Sequence, residues 1–567
     1  MIDSNTLQSL LQSSEGVQNL TQLDVPPRSE FYASFECKVL IENKLAQIRI
    51  EFPKGFPYDV PVISLIPYDF FGFIPHIDSK GAICYTRKED LFVNFQNPQG
   101  VVTYCLGLAL ETVRKGITGE NKEDFPNEFE QYWGARKNIR ELECDLDFTR
   151  GVKLIHIERH GNKLLAMEAD RASRASRFLG KIPPTNQNGL YIHLPGPITP
   201  PKYDQVLSHT FVQDWLFKDV TPSLIEEIQQ YIRRPKRNEY VVLSTNQPDG
   251  NLACFALELR SPAHADKHPL FDSRSCKSIF PLSVKRVDAS FLVARGNVVN
   301  SLFGKQGVII GCGSVGGFIS EDLIRMGVSS LTLIDHDILS SENIHRHCIG
   351  WRGIGLPKVE VLKVHFSNAF PNVQINAFSA TAFDAIQNQK ADFSLVDFVV
   401  VATGNPAANC FLTQYFRDKH PGLPVLFSWL DPYGLGGHCL ITNLKNSRGC
   451  YFCLYGDDVH FGCNRASFAH MNQPKHFSKF ISGCNSAFVP YGCLDARQVA
   501  NLTIRNLEKV LAGKETINAI VSWKGDPEAF EQAGFQVSNR YKQSEMELMD
   551  LQHNFADENC PICGNNF

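Results

Sequence analysis

The sequence predicts a multidomain chain: an N-terminal α+β domain, a mixed or β-rich linker domain, and a C-terminal α/β domain built on a mostly parallel sheet. Three observations carry this. The chain has 567 residues, room for three or four domains at about 150 residues each. Residues 31–52, FYASFECKVLIENKLAQIRIEF, alternate apolar and polar side chains, the period of a half-buried strand. Residues 306–337, QGVIIGCGSVGGFISEDLIRMGVSSLTLIDHD, read strand, glycine-rich turn, helix, strand, the start of an alternating β/α pattern.

Composition narrows the function classes. Hydrophobic residues are 43% and charged residues 20% of the chain, the balance of a folded protein rather than a disordered one. Lys plus Arg is 56 against 60 Asp plus Glu, a net charge of −4. That argues against nucleic-acid binding driven by phosphate neutralisation. No apolar run reaches the ~18 residues that span a bilayer, and MIDSNTLQSL lacks the features of a signal peptide. The expectation is a cytoplasmic chain without membrane or nucleic-acid partners. In a reducing compartment its 17 cysteines are packing groups, metal ligands or nucleophiles rather than a disulfide framework.

Residues 1–138 read as one domain. Residues 1 to about 25 are polar and read as a helix, followed by the β-patterned hairpin with its turn at Asn43-Lys44. A stretch rich in proline and aromatic residues covers 53–75. Then come the segment IPHIDSKGAICY and VVTYCLGLALETVRKGI, the latter amphipathic at helical period. Residues 139–290 hold short β-like runs (KLIHIER, YVVLST, ACFALELR, ASFLVARG) and display no evident chemistry. Residues 291–567 form the α/β domain, with further strands expected at VQINAFSA, DFVVVAT and LPVLFSW.

The glycine-rich turn is Gly311-Cys312-Gly313-Ser314-Val315-Gly316. It follows a buried strand and opens a helix, the context a Rossmann-like nucleotide loop requires. Its glycines permit the tight turn, phosphate approach and close helix–strand packing. The helix N-terminus offers free N–H groups to an anion. Asp335, 24 residues after Gly311, stands where an acid holds ribose hydroxyls. A dehydrogenase needs little more. This chain adds Asp337, Asn343, Arg346 and Lys358. A second acid suits a hard cation such as Mg²⁺, and Arg and Lys suit the phosphates of ATP.

Two CxxC pairs, Cys450/Cys453 and Cys560/Cys563, are separated by 106 residues. Four thiolates with no open position describe a structural Zn²⁺ site; a redox dithiol is the competing reading.

Residues 305–404 resemble the E1/ThiF-type adenylating enzymes, which activate the C-terminal carboxylate of ubiquitin-like proteins. The matching residues are Gly311, Gly313 and Gly316, Asp335-x-Asp337, Asn343-x-x-Arg346-His347 and Lys358. The resemblance implies that Asp335 holds the ribose, that Asn343, Arg346 and Lys358 hold phosphates, and that Asp337 lies near Mg²⁺. The family's Thr-Asp-Asn segment is here Thr403-Gly404-Asn405, so the acid that helps bind the metal is missing. The resemblance also places a thioester-forming cysteine at Cys484, upstream of Pro490 and a helix running through Leu511, with Cys493 and Cys463 as rivals.

The segment Ile74-Pro75-His76 followed by Gly81, Ile83 and Cys84 resembles the E2 ubiquitin-conjugating pattern HPN…G-x-I-C. It implies a thioester at Cys84, with His76 replacing the Asn as oxyanion donor or general base. The whole order is similar to bacterial E2–E1 fusions, including those of CBASS antiphage operons. That implies a partner protein C-terminus (a ubiquitin-like protein or a cGAS-like nucleotidyltransferase), target lysines, ATP, Mg²⁺ and a homodimer. A sulfur-carrier adenylyltransferase of the thiamine or molybdopterin type, a Rossmann oxidoreductase and an inactive scaffold are the rival readings.

Overall fold

The structure is a computed structural model. It describes residues 2–14, 16–26, 29–86, 91, 93–149, 151–168, 187–232, 237–294, 296, 301–388, 391–455, 464–470, 476–480 and 487–564. These residues form two compact units, 1–287 and 288–567.

The first unit opens with helix α1 (Ser4–Gln12), capped by Asp3, which accepts the Thr6 N–H at 3.0 Å. An antiparallel sheet of β1 (Gln18–Leu23), β2 (Phe31–Ile41), β3 (Lys44–Pro53) and β4 (Val62–Ile66) follows in sequence order. Residues 1–25, read as one helix from sequence, therefore divide into a helix and a strand. Strand β1 is a polar edge strand with no fully buried side chain, so it shows no apolar alternation. The hairpin turn falls one residue earlier than expected, at Glu42 and Asn43, both left-handed with φ of 45° and 63°. Helix α2 (Pro98–Thr118) starts at the Asn97 cap and stops at Gly119. It buries Val101, Val102, Cys105, Leu106, Ala109 and Val113 in a core shared with Phe35, Ile48 and Phe52, each full burial stabilising by about 1.5–3 kcal/mol for the larger side chains. Two short helices, α3 (Asp124–Asn127) and α4 (Phe129–Gly134), complete this part.

Residues 140–286 contribute seven strands: β5 (Arg140–Asp145), β6 (Val152–His160), β7 (Lys163–Met167), β8 (Gln187–Leu194), β9 (Asn238–Asn246), β10 (Leu252–Arg260) and β11 (Ser278–Arg286). They close into a barrel in the order β10-β11-β5-β7-β6-β8-β9, which removes the sheet edges. Trp133 of α4 donates its indole N–H to the Leu282 carbonyl of β11 at 2.8 Å.

The second unit is a seven-stranded sheet in the order β14-β13-β12-β15-β16-β17-β20. The strands are β12 (Gln306–Ile310), β13 (Ser330–Ile334), β14 (Gln374–Phe378), β15 (Phe398–Val401), β16 (Val425–Leu430), β17 (Gly436–Thr442) and β20 (Ala519–Lys524). The first five run parallel, and β17 and β20 are antiparallel additions. The order 14-13-12-15-16 is that of a doubly wound sheet. Its topological switch point lies between β12 and β15, where such sheets place a ligand crevice. ASFLVARG, read as β-like, instead contains the short helix Ala289–Ala294. Asp288 accepts the Phe291 N–H at 3.1 Å and starts it. Two paired strands of two residues each, β18 (Lys479–Phe480) and β19 (Ala487–Phe488), flank residues 481–486.

Candidate functional sites

Strand β12 delivers the glycine loop to the switch point. Gly311 has φ +91°, and a side chain there would meet the Ala402 backbone at 2.6 Å. A Cβ on Gly316 would lie 1.9 Å from the Gly311 carbonyl oxygen. Both positions therefore demand glycine. A Cβ on Gly313 would meet nothing within 4 Å; its backbone faces open space. Gly313 is also the uncapped start of the helix Ser314–Arg325, so the first N–H groups of that helix are available to an anion. The crevice is lined by Gly311, Gly313, Asp335, Asp337, Lys358 and Thr403, among others.

Asp335 has two structural duties. One carboxylate oxygen accepts the Cys312 N–H at 2.6 Å and the other the Asp337 N–H at 2.8 Å. It ties the glycine loop to the loop after β13, and each oxygen has a second lone pair. Lys358 begins the helix Lys358–Ala369. Its N–H donates to the Asp337 carbonyl at 3.0 Å and its ammonium sits 2.7 Å from Asp337 Oδ2. Burial pushes the Asp337 carboxyl up. The Lys358 hydrogen bond and charge, with His336 beside it, more than offset this and hold it below the ordinary carboxylate range.

Asn343 builds a turn: its Oδ1 accepts from Ser340 N and Oγ at 3.2 and 3.1 Å, and its carbonyl accepts the Arg346 and His347 N–H groups. The Arg346 guanidinium lies 5.0 Å over the Tyr491 ring. The Tyr491 hydroxyl donates to Ser314 Oγ at 3.2 Å, at the start of the glycine-loop helix. The sequence reading missed Tyr491, since only the fold brings it to the loop. It also gave no duty to His347, whose Nε2–H donates to the Cys312 carbonyl at 2.9 Å while Nδ1 accepts the Ile349 N–H at 3.2 Å. Burial lowers the His347 pKa against the pull of the Cys312 carbonyl, so the ring is a neutral strut under the glycine loop. Gly404 has φ +64° with open space around it, and no carboxylate stands at that position.

Of the thioester candidates in this unit, Cys484 and Cys463 lie outside the described residues. Cys493 is half-buried and is the first residue of the helix Cys493–Leu511, two residues after Tyr491.

The two CxxC pairs come together despite their separation in sequence. All four cysteines are buried, and their sulfur atoms lie within 4.8 Å of one another. The sulfurs are 3.9 Å apart for Cys450 and Cys453, 3.6 Å for Cys450 and Cys560, and 3.2 Å for Cys453 and Cys563. Zn–S bonds of about 2.3 Å place tetrahedral sulfurs about 3.8 Å apart, so this Cys₄ cluster is compatible with zinc.

In the first unit Cys84 is exposed, and its N–H donates to the His76 carbonyl at 2.8 Å. His76 is left-handed, with φ +64°, a strained conformation for a side-chain-bearing residue. It is held there from both sides, because its own N–H donates to the Tyr132 hydroxyl at 2.7 Å. Its ring is bracketed by two carboxylates, Nε2 at 2.9 Å from Asp124 Oδ2 and Nδ1 at 3.2 Å from Glu128 Oε2. The Glu128 contact is off line for a hydrogen bond and acts as an ion pair by proximity. The neighbouring Cys84 side chain is the largest influence raising the His76 pKa. Glu128 and Asp124 add to this against burial, and the value reaches about 10. The two carboxylates beside the ring favour its protonated form.

Residues 291–560 match the ThiF family and residues 28–140 match Prokaryotic E2 family B. An ATP-dependent ubiquitin transferase-like protein Cap2 of Pseudomonas aeruginosa is 24% identical over 456 residues, covering 76% of this chain and 79% of its own. The protein of the same name from Escherichia coli is 22% identical, with the same two coverages. The structure of E. coli MccB with ATP aligns over 48% of this chain and 69% of its own, at 17% identity and a TM-score of 0.33. No helix among the described residues is long and apolar enough to cross a membrane. The two family matches and the long Cap2 alignments together place the chain among the bacterial E2–E1 fusions, enzymes that join an E1-type, ATP-dependent adenylating segment to an E2-type transferase segment.

Proposed function

We propose that this chain activates the C-terminal carboxylate of a partner protein and conjugates it to an amine through two cysteines. A carboxylate oxygen attacks the α-phosphorus of ATP in the switch-point crevice, and pyrophosphate leaves. The Cys484 thiolate attacks the acyl carbon and AMP leaves. Cys84 then takes the acyl group by thiol exchange, freeing Cys484. A lysine amine of the target attacks the Cys84 thioester, forming an amide and releasing the thiolate. Each covalent step replaces one difficult condensation by easier displacements.

The observation that carries this reading is the pairing of chemistries in one chain. The crevice offers Gly313, Asp337 and Lys358 to a nucleotide, while the first unit presents an exposed cysteine bonded through its N–H to a histidine whose ring is bracketed by two carboxylates. Asp337 would hold Mg²⁺ together with the nucleotide phosphates and water, as this cation prefers. The Cys₄ cluster would hold one structural Zn²⁺. The E2–E1 order points to a cGAS-like nucleotidyltransferase as the partner, to antiphage defence as the setting, and to a homodimer as the working form.

The experiment is capture. Cys84→Ser expressed in the native host should accumulate a partner joined through its C-terminus to the substituted side chain by an ester, identifiable by peptide mass spectrometry. Absence of any such adduct would overturn the relay. Metal analysis of the same preparation should return one zinc per chain, lost together with the fold of the C-terminal unit on strong chelation. A metal-free, folded protein would contradict the zinc assignment.

A further inference from the structure

Neither the E2-type pattern nor the expected mechanism assigns a duty to the acidic helix turn opposite the cysteine segment. We propose that Asp124 and Glu128 are positioning residues that clamp the His76 ring from both nitrogens, keeping it a fixed cation against Cys84 throughout acyl transfer. The inference rests on Cys84 being the acyl carrier.

The clamp is non-local. Asp124 lies on α3, Glu128 at the junction of α3 and α4, and Tyr132 on α4. Tyr132 accepts the His76 N–H and donates its hydroxyl to Glu128 Oε2 at 3.1 Å. The same carboxylate thus faces the ring and, through Tyr132, fixes the strained backbone of His76. The titratable groups beside the ring are Asp124, Glu128 and Cys84, while Tyr132 bonds the His76 backbone. Two carboxylates beside one imidazole favour its charged form. In the transfer step the amine nitrogen bonds to the acyl carbon, and the carbonyl oxygen takes the charge. The carbon–sulfur bond then breaks, and the electron pair leaves on Cys84 Sγ. A cation that keeps its proton can stabilise both the oxyanion and the departing thiolate. The proton lost by the amine goes to solvent or another base, not to His76.

The test reads His76 directly, without ATP or partner. The full chain, labelled with ¹³C at histidine Cε1, is titrated by NMR, with His76→Gln to assign the signal. The expected midpoint is about 10. Asp124→Asn/Glu128→Gln should lower it by roughly a unit or more. A wild-type midpoint near the ordinary value of ~6.5 overturns the proposal even if the isosteric variant fails to fold. So does an unshifted midpoint in the folded variant. Once loaded Cys84 is available, discharge to free lysine should slow in the variant at pH 9 and recover toward wild type at pH 6, where the ring is charged without help. Equal slowing at both pH values would mark a merely structural role and count against the clamp. If the titration holds while Cys84 carries no acyl group, the relay has failed and the clamp has not.

Discussion

Replacing Cys84 with alanine is expected to abolish conjugation, by at least about 10³-fold, while partner-dependent ATP–pyrophosphate exchange stays within about twofold. The reason is separation of duties. Cys84 lies in the first unit, on the segment after β4, exposed and anchored through its N–H to the His76 carbonyl. Removing its sulfur takes away the proposed acceptor of the acyl group and alters no residue that lines the nucleotide crevice. Because the side chain is exposed, no cavity is created and stability should change little. Non-reducing gels for conjugates and isotope exchange for adenylation read the two activities independently. A variant that conjugates at the wild-type rate would remove Cys84 from the mechanism, and one that also loses exchange would mean the two activities are not separable as described.

Lys358→Met is expected to reduce ATP–pyrophosphate exchange by roughly 10²–10³-fold and to abolish ester formation on Cys84→Ser. Lys358 is nearly buried, with 9% of its side chain exposed, and its ammonium donates to Asp337 Oδ2 at 2.7 Å. On the proposed reading its charge is pre-positioned where phosphate charge would develop, at no reorganisation cost. Methionine keeps the stem's volume and deletes the charge. The Asp337 carboxyl then loses the group that outweighs its burial, so its pKa should rise and residual exchange should fall off at higher pH than in the wild type on acidification. Lys358→Arg should retain part of the activity. Unchanged exchange in Lys358→Met would show that the phosphates are neutralised elsewhere.

The parts of the site legible in sequence are those in which chemistry follows from short spacing. The Gly311–Gly316 loop, Asp335-x-Asp337 and the two CxxC pairs each lie on one turn, so residue type and interval determine the local geometry. The fold gathers the four cysteines across a long separation; their spacing implies that meeting without showing how the chain achieves it. What was not legible is tertiary. Asp124, Glu128 and Tyr132 reach His76 from about 50 residues away, on short helices with no motif of their own. Tyr491 meets Ser314 across 177 residues. The β-rich character of residues 140–286 was legible, but their closure into a barrel was not, because it depends on parallel pairings such as β8 with β9 and β11 with β5, which leave no turn signal. Strand β1 and the helix Ala289–Ala294 were misread for local reasons. One is a polar edge strand, and the other is a short apolar run in which the Asp288 cap decides between helix and strand.

The central claim is that the crevice at the β12/β15 switch point activates a protein's C-terminal carboxylate. The most direct measurement is ATP–pyrophosphate exchange by the wild-type chain with the partner captured on Cys84→Ser. It is supplied once intact and once with its C-terminal carboxylate converted to an amide. Exchange with the intact partner and none with the amide is the predicted result. Exchange that is equal with both, or absent with both, would contradict it.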